Sequence, residues 1–301
     1  MRGGYFDNYY MQLIYNVQKA KGTAPVIVQD ARNPINVTGG FDQWNDVDVT
    51  YVDATGDTMD RDAIGFGKTP YKNTSGRNDI QFSKVTSDSK NLYFYVKTVD
   101  DITMFDTKSS WMQLYLNVDG RDAEAGETGW YGYDFIVNYQ AKDAFTTTVA
   151  KYNGADNKFG FESVGEVSYR VKDNEMMIAV PLEMLGVQHP DYMNLHFKWV
   201  DSDSRMTTME QFYTEGDVAP LGRLNYAFNT AMPGSVPPEE VETQPETAED
   251  TVITPVETAP ESDGETTVPA KKGCGSSLLV SAAVLTATAA AVVVSKKKEN
   301  E

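Results

Sequence analysis

The chain has 301 residues, a formal net charge of −18, two His and one Cys. That sign of charge excludes a binder of phosphate backbones, and a single thiol excludes a disulfide framework within the chain. Composition then divides the sequence, because residues up to about Pro233 hold all four Trp and enough apolar side chains for a domain-sized core.

At the start, Asp7 to Lys21 sets Tyr10, Leu13, Ile14 and Val17 on one helical face, and Gly22 stops the run. This predicts an N-terminal helix over 1–22 whose apolar stripe needs a partner, as for the last element of a missing upstream domain. Met1-Arg-Gly-Gly-Tyr-Phe lacks the basic start and apolar run of a secretory signal, so an exported chain is expected to be the end of a longer precursor. The rival is a tail-anchored protein facing the cytoplasm. Thr23 to Ile27 reads as a linker.

Beyond it the apolar period changes to two, the strand signature. Leu92, Phe94 and Val96 alternate with Tyr93, Tyr95 and Lys97; Met112, Leu114, Leu116 and Val118 alternate with Gln113, Tyr115 and Asn117; and Tyr131, Tyr133, Phe135 and Val137 continue the pattern. Tyr169 to Lys172, a turn at Asp173-Asn174 and Met176 to Val180 predict a hairpin. Pro181 to Leu185 before Gly186 predicts one helical turn, and Leu195 to Val200 a further strand. Short strands joined by Gly, Asn and Asp turns predict an all-β domain over 23–233, a β-sandwich of jelly-roll type.

From 234 to 270 there are ten acidic residues, no Lys or Arg and no aromatic, the composition of a disordered stalk. Lys271-Lys272-Gly-Cys274 follows, then an uncharged apolar run from Ser277 to Val294 and the cluster Lys296-Lys297-Lys298. Residues 271–301 are therefore expected to form a membrane anchor with one transmembrane helix, its Lys cluster cytoplasmic and the domain outside. A buried Ala-rich helix is the alternative. For Cys274, lipidation at the boundary stands against an inert small residue.

No motif of nucleophile and base, zinc ligation or phosphate cradling is present, and the many carboxylates single out no acid and base pair. Aromatics beside amides and guanidinium groups stand out instead. Sugars offer apolar C–H faces ringed by hydroxyls, so their sites need flat aromatic platforms with planar polar groups at the rim. Trp44, Trp111, Trp130, Tyr131 and Tyr133, with Arg77, Asn78 and Asp79, are the candidates, and burial in the core is the alternative for each. Trp199, between apolar neighbours at period two, is expected in the core. A second constellation, Asp53, Asp57, Asp201 and Asp203, offers hard oxygen ligands for a structural calcium, with turn capping as the alternative.

The ordered series Phe41-Asp-Gln-Trp44, Tyr51-Val-Asp-Ala-Thr-Gly-Asp57, Asn73-Thr-Ser-Gly-Arg-Asn-Asp79, Asn91-Leu-Tyr-Phe-Tyr95, Trp130-Tyr-Gly-Tyr-Asp-Phe135, Phe197-Lys-Trp199 and Gly216-Asp-Val-Ala-Pro-Leu-Gly-Arg223 resembles a family 9 carbohydrate-binding module, over about residues 30–228. The resemblance implies a β-sandwich that holds a sugar between aromatic side chains, contains bound calcium and accompanies a glycoside hydrolase in carbohydrate catabolism. The tail is similar to the surface-anchoring tails of clostridial proteins, without an LPxTG motif.

Three functions follow as expectations. The first is a non-catalytic module at the bacterial cell surface that holds a polysaccharide near the cell or near an upstream hydrolase; it requires a solvent-facing aromatic cluster. The second is a spacer or adhesion domain, which requires Trp44, Trp111 and Trp130 all to be buried. The third is a glycoside hydrolase, which requires two carboxyl groups facing each other across a cleft roughly 5–10 Å wide.

Overall fold

The computed structural model describes residues 13–237 except 15, 19, 24–25, 30, 65–67, 69, 120–128, 155–157 and 233–234. The stalk beyond 237, the C-terminal anchor with Cys274, and residues 1–12 of the N-terminal helix lie outside the described residues. Within 13–20 the described residues are helical, and Leu13 and Val17 are exposed. Among the described residues no helix is long and apolar enough to cross a membrane.

The chain folds as an all-β, antiparallel structure. After a 3-10 turn at Phe41–Asp46 come β1 (Thr50–Val52), β2 (Arg61–Ile64), β3 (Pro70–Asn73), β4 (Ile80–Ser87), β5 (Asn91–Thr98) and β6 (Ser110–Asn117). Then follow β7 (Phe135–Ala141), β8 (Thr146–Tyr152), β9 (Phe161–Lys172), β10 (Glu175–Pro181), β11 (Asn194–Ser202), β12 (Asp217–Ala219) and β13 (Tyr226–Asn229). One sheet runs in the order β1-β4-β5-β10-β9-β8-β7-β6-β11-β12, with β13 paired to β11, while β2 and β3 form a separate two-stranded ribbon. β9 is the hinge of this path: Tyr169 to Lys172 pair with β10, and Phe161 to Ser168 pair with β8.

Period-two alternation fixes the core. Leu92, Phe94 and Val96 of β5 and Ile178 of β10 share one buried cluster with Leu114 and Leu116 of β6 and Leu195, Phe197 and Trp199 of β11. The two halves of the sheet therefore face each other across these side chains, as in the edge-on contact of Phe94 with Phe197 at 5.8 Å. Removing this much apolar surface from water is the main force holding the halves together.

Both outer faces are also covered, which simple alternation does not reveal. Segment 31–47 lies over one half, where Phe41 and Trp44 pack on Tyr93, Tyr95 and Met177. Over the other half, Trp130, Tyr133, Met206 and Phe212 pack on Tyr115, Ile136 and Val200. Consequently all eight residues of β6 are buried.

The hairpin β9–β10 turns at Asp173, the helical turn after Pro181 ends at Gly186, and β5, β6 and β11 match the expected strands closely. The expected strand from Tyr131 starts only at Phe135. Trp130 and Tyr133 exchange backbone hydrogen bonds of 2.9 and 3.0 Å around a tight loop, with Tyr131 at φ +51° and Gly132 at φ +91°. Gly129 permits that closure, since a Cβ there would lie 2.4 Å from the Tyr133 carbonyl oxygen.

Candidate cation site

The first and last strands of the sheet path meet at a group of carboxylates. Asp53 directly follows β1, Asp57 lies in the turn after it, and Asp217 opens β12. Gly216 makes the last placement feasible: at φ +49° it passes so close to the Asp201 carbonyl that a Cβ would sit 1.8 Å from that oxygen. Asp217 is held by two backbone donors, Ile80 N–H to Oδ2 at 2.7 Å and Val218 N–H to Oδ1 at 2.8 Å.

One oxygen from each of Asp53, Asp57 and Asp217 lies within 4.8 Å of the others. Calcium–oxygen bonds are about 2.4 Å, so oxygens up to about 4.8 Å apart can share one ion. Asp79 stands beside them, its Oδ2 accepting Gly56 N–H at 2.7 Å. Among the described residues neither oxygen of Asp57, nor Asp53 Oδ2, nor Asp79 Oδ1 meets a donor in hydrogen-bonding geometry, although all four atoms are buried. Buried polar atoms are nearly always paired, so four orphans in one place describe a cage that suits a ligand. The donors are all hard oxygens, which fits calcium or magnesium and not a thiolate- or imidazole-seeking metal.

The charge is poorly tolerated without such an ion. Two unit charges about 5 Å apart repel by roughly 3–4 kcal/mol at an effective dielectric near 20. Burial, reinforced by the neighbouring carboxylates, pushes Asp53 up to about 8 and Asp57 up to about 6, and drives Asp217 well above the usual carboxylate range. Asp79 is raised as well, chiefly by burial. Two cations stand near: Arg61, which favours the charged form of Asp57, and Lys198 of β11, which is fully buried, donates to the Pro220 carbonyl and lies 5.6 Å over the Phe212 ring. Burial lowers its ammonium to about 7 despite attraction from Asp53 and Asp217.

Of the four metal ligands expected from sequence, the structure brings Asp53 and Asp57 together and places the other two elsewhere. Asp201 pairs with Arg77 Nε at 2.9 Å and accepts Met112 N–H at 2.9 Å. Asp203 is exposed in the following turn. Asp217, a lone Asp after Gly, carries no spacing signal in the sequence and reaches the site through the pairing of β12 with β11.

The expected sugar platforms are mostly interior. Trp44, Trp111, Trp130 and Tyr133 are between 1% and 3% exposed, so none presents a ring face to solvent. Three of them are held there by a polar edge as well: Trp44 Nε1 donates to Met177 Sδ at 3.5 Å, Trp111 Nε1 to the Thr103 carbonyl at 3.0 Å and Tyr133 Oη to Asn225 Oδ1 at 2.6 Å. Trp130 instead packs against six aromatic rings at 5.1–6.4 Å. Trp199 is buried as expected. Arg77 is occupied with Asp201, Ser109 Oγ and the Ser202 carbonyl, and buried Asn78 exchanges hydrogen bonds with Thr103. Tyr131 alone among these aromatics is exposed, at 41%, and its ring stands edge-on to Trp130 at 5.5 Å.

The chain matches no family model, no curated protein and no solved structure. The family 9 resemblance therefore rests on the residues quoted for it.

Proposed function

We propose that this chain is a non-catalytic, calcium-stabilised β-sandwich module of jelly-roll type that serves as a spacer or adhesion unit on a bacterial surface protein. The observation that carries the reading is the carboxylate cage of Asp53, Asp57, Asp79 and Asp217, with unpaired oxygens on the first three, placed where the two ends of the sheet path meet. An ion there neutralises buried charge and ties β1 to β12, a structural task. The interior positions of Trp44, Trp111 and Trp130 support the spacer or adhesion role over a sugar platform. The close carboxylates are packed together inside the fold instead of facing each other across a cleft, which argues against the hydrolase. Placement outside the cell is supported by the acidic segment 234–270, the apolar run 277–294 and the Lys cluster after it.

The test is calorimetric titration of the full chain, in detergent, with calcium and with magnesium. Saturable binding that is lost in Asp57→Asn sustains the reading; only weak binding shared by that variant belongs to the acidic stalk and sinks it.

One observation favours a second reading, glycan binding at the outer face around Tyr131. There the exposed Tyr131 ring adjoins Trp130, and two further neighbours of Trp130, Phe159 and Phe161, are half-buried. Retardation of the full chain by a plant, mucin or bacterial polysaccharide in affinity gels, abolished by Tyr131→Ala, would establish it.

A further inference from the structure

We propose that calcium in the carboxylate cage gates the docking of the β2–β3 ribbon onto the body of the protein, an inference that rests on the calcium reading above. Among the described residues the ribbon pairs with no other strand. Its two stems are the cage itself: Asp53 and Asp57 lead into β2, and the chain returns from β3 to the body through Asp79. The ties that hold the ribbon inward also end at the cage. Asn73 Nδ2 donates to the Gly216 carbonyl at 3.0 Å, and Gly216 N–H donates to Ser75 Oγ at 3.1 Å, both next to Asp217. Arg61 Nη2 donates to the carbonyl of Asp57 at 3.0 Å. Where the stems cross, Gly76 lies against the Thr58 carbonyl so closely that a Cβ would fall 1.8 Å from its oxygen.

With the cage empty of cations, the carboxyl groups hold protons or, where ionised, repel one another, so no ionic bond ties the two stems to β12. A bound ion draws the carboxylates together and holds Gly216 against Asn73 and Ser75. Among the described residues the helical turn Gln211–Thr214 also packs on the ribbon, against β3. Elsewhere the sheet is held by the apolar core, which calcium does not touch. The ribbon thus becomes a surface element that is fixed in the calcium-rich exterior and loosened where calcium is scarce.

Hydrogen–deuterium exchange of the full chain in detergent, with millimolar calcium or with excess chelator, tests this. The expected result is that amides of Arg61–Ile64 and Tyr71–Asn73 exchange at least tenfold faster on chelation, while β5, β6 and β11 keep their protection. Because coupling between sites is reciprocal, Asn73→Ala, which alters no carboxylate, is expected to weaken calcium binding several-fold. Calcium binding with unchanged ribbon exchange, or with equal loss of protection in β5, β6 and β11, overturns the gate and leaves the calcium reading standing. Absence of calcium binding in calorimetry overturns both.

Discussion

Asp57, in the turn after β1, and Asp217, at the start of β12, bring carboxylate oxygens within 4.8 Å of each other at the one place where the ends of the sheet path converge. Two acids so placed are a cost to the fold unless a proton or a cation sits between them, and this makes stability depend on pH in an unusual direction.

In chelator, stability is expected to fall as pH rises. The native values of about 8 for Asp53 and about 6 for Asp57 lie above the ordinary 3.8 of the unfolded chain. Between about pH 4 and 7 the native state therefore holds more protons than the unfolded state and unfolding becomes easier as pH rises, while above about pH 7 the lowered Lys198 ammonium offsets part of the trend. The unfolding temperature, followed by circular dichroism, should drop by several degrees across that window. Saturating calcium should remove the trend, because the ion replaces the protons.

Asp57→Asn and Asp217→Asn should respond oppositely to wild type. Each removes a charge from the repelling group, so in chelator at pH 8 Asp57→Asn is expected to equal or exceed the wild type in unfolding temperature, while Asp217→Asn gains less because its amide cannot accept from both Ile80 N–H and Val218 N–H. Each also removes a ligand, so the stabilisation that calcium gives the wild type is lost. A pair of melting curves per variant, with calcium and with chelator, reads both effects. If both variants are less stable than wild type in chelator, the carboxylates are not in mutual repulsion.

Arg77→Ala should destabilise the domain without altering calcium binding. The guanidinium is the counter-charge of fully buried Asp201 and bonds to Ser109 and Ser202. Breaking a buried pair by removing one partner costs about 3 kcal/mol or more. Denaturant unfolding measures the loss, and calorimetry of the folded variant measures calcium affinity, which should stay within twofold of wild type.

Trp130→Ala and Tyr131→Ala should separate core from surface at adjacent positions. Trp130 is enclosed by Tyr115, Tyr133, Phe159 and Phe212, so its truncation should cost about 3–5 kcal/mol. The Tyr131 side chain is partly exposed, and its loss should cost less than about 1 kcal/mol. Urea unfolding of both variants checks this. A polysaccharide interaction lost in Trp130→Ala alone would therefore report unfolding and not a binding platform.

Much of the strand framework was legible in the chain. Alternation in β5, β6, β10 and β11 determined these strands and their inward faces, because a side-chain period of two needs no partner to be read. Turn residues placed the β9–β10 hairpin, and the Asp-rich stretch 53–57 marked half of the cation cage. What only the tertiary structure decided is which faces are covered and which acids meet. Tyr93, Tyr95 and Tyr115 alternate as an outer face should, yet segment 31–47 and the loops bearing Trp130 and Phe212 fold over them, which turns the expected sugar platforms into core. Asp201 and Asp217 face each other across β11 and β12, but Arg77 takes the first and the cage takes the second. That choice depends on contacts between residues far apart in the chain, and local sequence patterns report only what neighbours along the chain impose on one another.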